Sequence, residues 1–478
     1  MKFSNATKLM CLFLSMVLIM GLMIGCQQSQ SMGSTTVSPT GATNPSGSET
    51  QSPATDSPMA TFGFPPDWIP PEWIELWGNG WAASPDDTYY AVDLQWAINR
   101  IHLPDAWDIS TGSNTIRVGV IDSGVDPTHP DLQNRVNTLL SECFVPVFSA
   151  LEDPLGHGTH VAGIIGAQGN NGVGVSGVCW NVEIVSLRVS GNDNVPQPSA
   201  VVDAIKSANN KGIHIINLSL TLAGLSAAEY TDLYNAIADF DGLVVCAAGN
   251  SSVLNDPFAN NDAYALYPCN IPLGNVVSVG ASTNADTIWD YSHYGATTVD
   301  IFAPGNSILN CYPSDLCVDG ACYSFNHNAN GYHLMSGTSM AAPHVAGVAA
   351  LLLSIHPELT AAELKQIIMD NVDIIYDENL DSVFEDYCVS GGRLNAYKAL
   401  SDPSIHNFGL YVKADSTYHK RTCTTCGYAE YGMHKDSAHP GTGKCLICGY
   451  SGSSTMSGGS EDILSSILPA TPNMQQYA

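Results

Sequence analysis

Short apolar runs that stop at polar residues alternate along this chain with longer runs of small apolar residues. Residues 116–121 are rich in β-branched side chains and stop at Asp122, and residues 244–248 form a second run that stops before Asn250. Continuous runs of this length predict strands buried on both faces, as in a parallel sheet. Runs of Ala, Gly and Val that follow His157 and Ser339 predict helices that begin at these residues. The pattern predicts an α/β protein with polar side chains at the carboxyl ends of its strands, where open sheets of this class carry their chemistry.

Three of these polar residues have the chemistry of nucleophilic catalysis. Ser339 lies in a Gly-Thr-Ser-Met turn at a helix N-terminus, where free N–H groups and a partial positive charge favour nearby negative charge. Pro343 is expected near the first helical turn, where its missing N–H would be unpaired anyway. A serine hydroxyl needs an adjacent base, which His157 can supply, and Asp122 can orient the imidazole. Taken singly, each of the three residues has a structural alternative: an ordinary capped helix for Ser339, a loop histidine for His157 and a strand-end cap for Asp122.

Taken together, the motifs resemble those of the subtilisin-like serine peptidases, whose triad also runs in the order Asp, His, Ser. The resemblance covers roughly residues 87–402, and its motifs are Asp-Ser-Gly at Asp122, Gly-His-Gly-Thr-His at His157 and Gly-Thr-Ser-Met-Ala at Ser339. It implies a doubly wound α/β fold with a mostly parallel sheet. It also implies a serine endopeptidase that hydrolyses protein or peptide substrates through an acyl-enzyme.

Two other histidines, His160 and His344, lie in the same motifs, and we expect them to be packing residues. An alternative function is that of a catalytically inactive surface binding protein that has kept the fold. The intact triad argues against this alternative.

The resemblance further implies an oxyanion hole and a substrate site. Asn250, at the end of an Ala-Ala-Gly-Asn segment, would donate its side-chain amide beside the backbone N–H of Ser339. The segment 215–220 resembles the strand whose edge pairs with an extended substrate. The expected substrate-binding residues are Ser219, Leu220, Ala247, Ala248 and Gly249.

A structural calcium site is also implied. His-Pro-Asp-Leu at Asp131 resembles the family segment whose Asp binds calcium, and the loop at 170–175 resembles the one that completes the site. Carboxylate, amide and carbonyl oxygens suit a hard cation. The expected ligands are Asp87, Asp131, Asn171, Val173 and Val175. A plain Asn-Gly turn is the alternative interpretation of the loop.

The N-terminus resembles that of a bacterial lipoprotein. Lys2 and Lys8 precede an apolar stretch at 9–24, and Gly25-Cys26 follows it. We expect a signal peptide over 1–25, lipidation of Cys26 and location on the extracellular face of a bacterial cell membrane. An uncleaved membrane helix and a freely secreted product are the alternatives. A Ser/Thr/Pro-rich tether at 26–60 and a Trp/Pro-rich extension at 61–86 would precede the peptidase domain.

The net charge of the chain limits the kinds of molecule that it is expected to bind. The chain has 16 Lys and Arg against 45 Asp and Glu, for a formal net charge of −29. Such a balance argues against binding to nucleic acid or to an anionic lipid surface. We expect a monomer whose contact with the membrane is its lipid anchor.

Four of the 14 cysteines form a separate pattern after the peptidase domain. Two Cys-x-x-Cys pairs, each followed by Gly-Tyr, are separated by residues 427–444. Pairs of this spacing suit tetrahedral zinc, and two disulfides are the alternative outside a cell. We predict a zinc-ribbon-like module over 403–450, followed by a flexible tail at 451–478. Its ligands would be Cys423, Cys426, Cys445 and Cys448, with His419, His434 and His439 in reserve.

Overall fold

The apolar runs form the strands of one parallel sheet. A computed structural model describes residues 84–433, except 92, 194, 254–255, 317–330, 377–382 and 415–417. The strands are β1 (Gly112–Asp122), β2 (Glu142–Cys143), β3 (Asn181–Arg188), β4 (Ile215–Leu218), β5 (Leu243–Ala247), β6 (Val276–Ser282) and β7 (Ile301–Pro304). Their order is β2-β3-β1-β4-β5-β6-β7, and every neighbouring pair is parallel. Every residue of β4, β5, β6 and β7 is buried, which explains their unbroken apolar pattern.

Helices cover both faces of this sheet. They are α1 (Trp96–Arg100), α2 (Leu103–Trp107), α3 (His157–Gly166), α4 (Pro198–Asn210), α5 (Ala227–Ala238), α6 (Thr338–Ile355), α7 (Ala361–Asp370) and α8 (Ala396–Leu400). Alternate residues of β5 belong to different cores. Val245 packs with residues of α3 and α6, whereas Val244 packs with residues of α4 and α5. Because side chains alternate along a strand, the sheet buries two separate cores, and the expected doubly wound fold is confirmed.

Helix α6 is the central helix of the first core. It has 18 residues, and 15 of them are buried. Small side chains such as Ala346 and Gly347 let it approach its neighbours closely, since a Cβ at Gly347 would lie 2.5 Å from Val178 Cβ. Among the described residues, α6 is the one helix long and apolar enough to cross a membrane, and 83% of it is buried inside the protein.

Two small antiparallel sheets complete the described chain. One pairs β8 (Ile308–Cys311) with β9 (Tyr332–Met335), and the other contains β10 (Val412–Lys413), β11 (Tyr418–Thr422) and β12 (Ala429–Met433). The second sheet holds the first Cys-x-x-Cys pair on the turn between β11 and β12. Cys445, Cys448 and the tail lie outside the described residues, so the zinc-ribbon form of this module stays a prediction. The signal peptide, Cys26 and the tether also lie outside them.

Candidate active site

The C-terminal end of β1, with Asp122, and the N-terminal end of α3, with His157, meet at the carboxyl edge of the sheet. Asp122 is the last residue of β1, and His157 is the first residue of α3. His157 Nδ1 lies 2.7 Å from Asp122 Oδ1, and the Ser123 N–H donates to the same oxygen at 2.7 Å. A short bond to an ionised carboxylate keeps the proton on Nδ1, so that the lone pair of the neutral ring lies on Nε2.

Gly158 permits this close approach. A Cβ at this position would lie 2.1 Å from Gly124 O and 3.2 Å from Asp122 Cβ. The Gly158 N–H also donates to Ser123 Oγ at 3.0 Å. The Asp-Ser-Gly and Gly-His-Gly motifs therefore pack backbone against backbone at Gly158, which accounts for the glycine that follows His157. Gly124 is required for a different contact, since its φ is 119° and a Cβ there would lie 2.1 Å from Glu152 O.

Asp153 is a buried carboxylate beside this pair that the sequence analysis missed. Its Oδ1 accepts from Ser123 Oγ at 2.8 Å and from the Gly156 N–H at 2.9 Å, and its Oδ2 accepts from the Thr159 N–H at 2.8 Å. It therefore caps the start of α3. The available signal was an acidic residue a few positions before a helix start, a common N-terminal pattern.

Burial and two neighbouring carboxylates act in opposite directions on the pKa of His157. Burial lowers it, whereas the Asp122 carboxylate, through its charge and its hydrogen bond, and the charge of Asp153 raise it, and the net result is a raised pKa. The environment therefore stabilises the imidazolium more than water does. A base that must accept a proton during the reaction benefits from this stabilisation.

Ser339 exchanges two hydrogen bonds with Ser219. Ser339 Oγ donates to Ser219 O at 3.1 Å, and Ser219 Oγ donates to Ser339 O at 2.7 Å. Ser339 O is available because Pro343, four residues later, has no N–H to donate. Pro343 is the sixth residue of α6, so it lies near the first turn as expected but past the four positions whose N–H groups have no partner within the helix. There it frees the carbonyl that ties the start of α6 to Ser219.

Asn250 is held in one orientation by its neighbour Thr338. Asn250 Oδ1 accepts from the Thr338 N–H at 2.9 Å and from Thr338 Oγ1 at 3.1 Å. Thr338 Oγ1 in turn accepts from the Gly249 N–H at 3.1 Å. Because both bonds use Oδ1, the two N–H donors of the Asn250 amide are turned away from Thr338. Thr338, which the sequence analysis passed over, thus positions the predicted oxyanion donor.

One cleft brings most of the predicted residues together. It has a volume of about 390 Å³, and its lining combines the triad candidates with predicted substrate-binding residues. Ala248 is different because it is fully buried and packs against Phe302 and Phe384 behind the cleft. Alternation along the extended chain turns Ala248 away when its two neighbours face the cleft, so its predicted lining role is wrong. The predicted residues in the lining are Asp122, His157, Ser219, Leu220, Ala247, Gly249, Asn250 and Ser339.

The other motif histidines are buried and lie outside the cleft lining. His160 Nε2 lies 3.0 Å from Ile308 O and 3.0 Å from His333 O, and burial lowers its pKa to about 3. His344 Nδ1 lies 2.8 Å from Met340 O, and burial lowers its pKa to about 4. Both side chains are therefore neutral packing residues, as expected.

The sequence of the sheet domain matches a known family. Residues 113–400 match the profile of the subtilase family. The chain belongs to the subtilase family. It is 34% identical to a thermophilic serine proteinase of Bacillus sp. strain AK1 over 68% of this chain and 71% of that protein. It is 33% identical to thermitase of Thermoactinomyces vulgaris over 66% of this chain and 99% of that protein.

The fold is also similar to that of a solved protease structure. A protease structure from Pseudoalteromonas arctica PAMC 21717 aligns with a TM-score of 0.54 and 28% sequence identity. The alignment covers 67% of this chain and 99% of that chain. The family and these relatives make the present subtilase a serine endopeptidase, as the sequence analysis expected.

Four of the five predicted calcium ligands lie together in this subtilase, namely Asp87, Asp131, Asn171 and Val175. Val173 is 45% exposed, and its N–H donates to Asn171 Oδ1. Asp87 and Asp131 are fully buried. Asp131 accepts from Asn171 Nδ2 at 3.1 Å, from the Val175 N–H at 2.9 Å and from Tyr332 OH at 2.9 Å. Asp87 accepts from the N–H of Asn171 at 3.3 Å. Burial raises the pKa of Asp131 to about 6 and also raises that of Asp87, and the proximity of the two carboxylates adds to the effect at Asp131.

The described cysteines are not joined in disulfides. Cys246 and Cys179 are buried free thiols in apolar surroundings. Cys423 and Cys426 are also free thiols, and Cys426 Sγ lies 3.4 Å from His406 Nδ1. His406 was not among the reserve ligands, because it precedes the cysteine pair by 17 residues or more.

Proposed function

We propose that this subtilase cleaves peptide bonds with Ser339 as nucleophile, His157 as general base and Asp122 as the residue that orients His157. The single observation that carries the proposal is the 2.7 Å bond between His157 Nδ1 and Asp122 Oδ1 at the mouth of a cleft that Ser339 also lines. A positioned base beside a serine is the minimum requirement for acyl transfer.

The reaction begins when Ser339 Oγ leaves Ser219 O and turns toward His157. His157 Nε2 takes the hydroxyl proton as Oγ forms a bond to the substrate carbonyl carbon, and the π electrons of that carbonyl become the oxyanion. Asp122 stabilises the resulting imidazolium. His157 then gives the proton to the amine as the C–N bond breaks, and a water molecule repeats the sequence on the acyl-enzyme.

The oxyanion would be stabilised by two donors. One is the Asn250 side-chain amide, whose orientation is fixed by the bonds from Thr338 to Oδ1. The other is the backbone N–H of Ser339 at the start of α6, where the helix dipole also favours negative charge. Fixed donors of this kind lower the barrier because they need no reorganisation when the charge develops.

The cleft suits an extended polypeptide substrate. Ser219, Leu220 and Thr221 follow β4 along one side of it, and Ala247 and Gly249 lie at the end of β5 and just beyond it. Backbone groups along such segments can pair with an extended chain. The small side chains at 247 and 249 leave room for a substrate side chain between the two segments.

A fluorophosphonate probe tests the triad. Wild-type protein should be labelled covalently at Ser339, and Ser339→Ala should not be labelled although its melting temperature is unchanged. Ser336→Ala is a matched control, because Ser336 also lines the cleft and should leave labelling intact. No labelling of the wild type would favour the alternative of an inactive surface binding protein.

We further propose that the enzyme is a monomer held at the extracellular face of the membrane by lipid on Cys26. The support is the sequence of a charged start, an apolar run and Gly25-Cys26 before a polar tether. Replacement Cys26→Ser should move the protein from the membrane fraction to the medium. A protein that stays in the membrane after this replacement would favour an uncleaved helix, and a wild type found in the medium would favour secretion.

Calcium is the metal that this proposal assigns to the Asp131 site. Subtilases commonly bind structural calcium, and two buried carboxylates with raised pKa values lack a countercharge from a described Lys or Arg. Their oxygens, with carbonyls of the 170–175 loop, fit a hard cation. Asn171 now points its Nδ2 at Asp131, so its amide would have to turn over for its oxygen to bind the ion. The four-cysteine zinc site stays a prediction.

A further inference from the structure

His356 is a buried histidine with an unused nitrogen. It follows the last residue of α6 and is 2% exposed. Its Nδ1 lies 3.1 Å from Glu358 Oε1, and its Nε2 has no hydrogen-bond partner among the described residues. The carboxylate holds the proton on Nδ1, so that Nε2 presents a lone pair inside the protein. A buried polar atom without a partner is costly, and it needs an explanation such as an ion.

His406 presents a second lone pair to the same place. Its Nε2 lies 2.7 Å from Leu400 O, to which it can only donate, so Nδ1 carries the lone pair. That Nδ1 lies 3.4 Å from Cys426 Sγ. The two imidazole rings are 5.7 Å apart. Metal-bound histidines generally donate their other N–H to a carboxylate or a carbonyl, and His356 and His406 do so to Glu358 and Leu400.

The first cysteine pair faces these histidines from the C-terminal sheet. Cys423 and Cys426 lie on the turn between β11 and β12, which Gly427 closes with a φ of 82°. The side chain of Cys423 contacts those of His406 and Cys426 and also accepts from backbone amides of the turn. Phe408 and Tyr428 pack against His406, with ring centroids 5.3 Å and 4.9 Å away, and limit access of water.

We propose that His356 Nε2, His406 Nδ1, Cys426 Sγ and Cys423 Sγ bind one zinc ion. The ligand atoms of His356, His406 and Cys426 all lie within 4.8 Å of one another. Tetrahedral zinc, with bonds of about 2.0–2.3 Å, separates its ligand atoms by about 3.3–3.8 Å. A closure of about 1 Å among these atoms would complete the geometry, and each thiol would release its proton as its sulfur binds the ion.

This ligand set differs from the four-cysteine set that the sequence predicts. Two thiolates neutralise a divalent ion, whereas four leave a net charge of −2 in an already acidic protein. Nε2 of His356 also has no hydrogen-bond partner among the described residues, and Nδ1 of His406 already contacts a cysteine of the first pair. The proposed ion would therefore join the C-terminal sheet to the end of α6, the helix that carries Ser339 near its start. The module would be fastened to the peptidase domain through the metal.

Zinc binding to the full chain tests the proposal. The protein would be made as Ser339→Ala to prevent self-digestion, reduced, stripped with a chelator and titrated with zinc against a chromophoric competitor. One tight equivalent is expected. His356→Asn should weaken binding by more than about 100-fold, and Glu358→Gln, an exposed change behind that ligand, by about 10–100-fold. His214→Asn is the matched control, because His214 is a half-buried histidine bonded to the Arg117 N–H, and zinc affinity should not change.

Replacement of the second cysteine pair distinguishes the proposed two-histidine, two-cysteine ligand set from the four-cysteine set. The double replacement Cys445→Ser with Cys448→Ser should leave zinc affinity unchanged, and cobalt in place of zinc should give the charge-transfer intensity of two thiolates. Loss of zinc in the double variant with retention in His356→Asn would overturn the proposal in favour of four cysteines. No uptake by the reduced wild type, or a disulfide between Cys423 and Cys426 in the native protein, would also overturn it. The cobalt spectrum needs no His356 variant, so a His356 variant that fails to fold leaves the test intact.

Discussion

Replacing Gly158 with alanine should separate His157 from Asp122. The added Cβ would lie 2.1 Å from Gly124 O, whereas real Cβ atoms essentially never come within 3.0 Å of such an atom. Relief of this contact requires α3 to move by about 1 Å relative to the end of β1. A displacement of this size in a catalytic group can cost about 100-fold in rate. We therefore expect kcat/KM to fall on the order of 100-fold, mainly through kcat.

The assay must separate lost geometry from lost stability. Overpacking of this kind costs about 1–3 kcal/mol of folding free energy, so rates on a chromogenic peptide should be measured well below the melting temperature. Fluorophosphonate labelling would give the concentration of reactive enzyme. Alanine has a higher helix propensity than glycine by about 1 kcal/mol, and the loss cannot therefore come from the helix itself.

Gly274→Ala provides the control for this prediction. A Cβ at Gly274 would meet no atom within 4 Å, so rate and stability should stay near those of the wild type. If Gly158→Ala retained the wild-type kcat, the close packing of the two motifs would not set the distance between His157 and Asp122. If the loss lay in KM alone, the contact would act on substrate binding and the reasoning would also be refuted.

Three further predictions concern the same machinery and the calcium site. Asn250→Ala should lower kcat by about 10²–10³ with little change in KM, the range known for the equivalent donor in a subtilisin; a pure KM effect would mean that Asn250 merely lines the cleft. Burial lowers the pKa of His157 and Asp122 raises it, and the net change is an increase. Activity should therefore be lost on acidification with a midpoint at a pH above about 6.5. Asp122→Asn should move that midpoint down, and an unmoved midpoint in the pH–rate profile would contradict the pairing. Calcium at about 100 times its Kd should add about 2.7 kcal/mol of stability, measured as a rise in melting temperature that Asp131→Asn abolishes; a rise that survives would place the ion elsewhere.

The strands and the motif residues could be predicted because their signals are local. An apolar run such as 244–248 is buried on both faces, and its unbroken apolar pattern therefore predicts a strand inside a parallel sheet. The triad candidates could be found because each is embedded in a short motif whose glycines are required by close packing, as at Gly158. The wrong expectation for Ala248 has a local cause too, since a one-residue alternation decides which side chains face the cleft.

The positioning roles that the sequence did not reveal depend on contacts between residues far apart in the chain. Thr338 orients Asn250 from 88 positions away, and Ser219 holds the start of α6 from 120 positions away. Asp153 lies near Asp122 only because a loop folds over the end of β1. Each of these is an ordinary polar residue in its own segment, and its role exists only where two segments meet.

The sequence by itself determined the family, the parallel sheet and the order of the reactive residues, because strand burial and the packing of the glycine-bearing turns leave a pattern within a few residues. Only the tertiary structure decided which hydrogen bonds direct those residues and which histidines face the Cys423 and Cys426 pair. The spacing of cysteines indicated a partner further along the chain, at 445 and 448. The fold also brings His356 from the end of α6 to within 4.8 Å of the Cys426 and His406 ligand atoms. The reason is that a long helix through the core ends beside residues that are distant in the sequence.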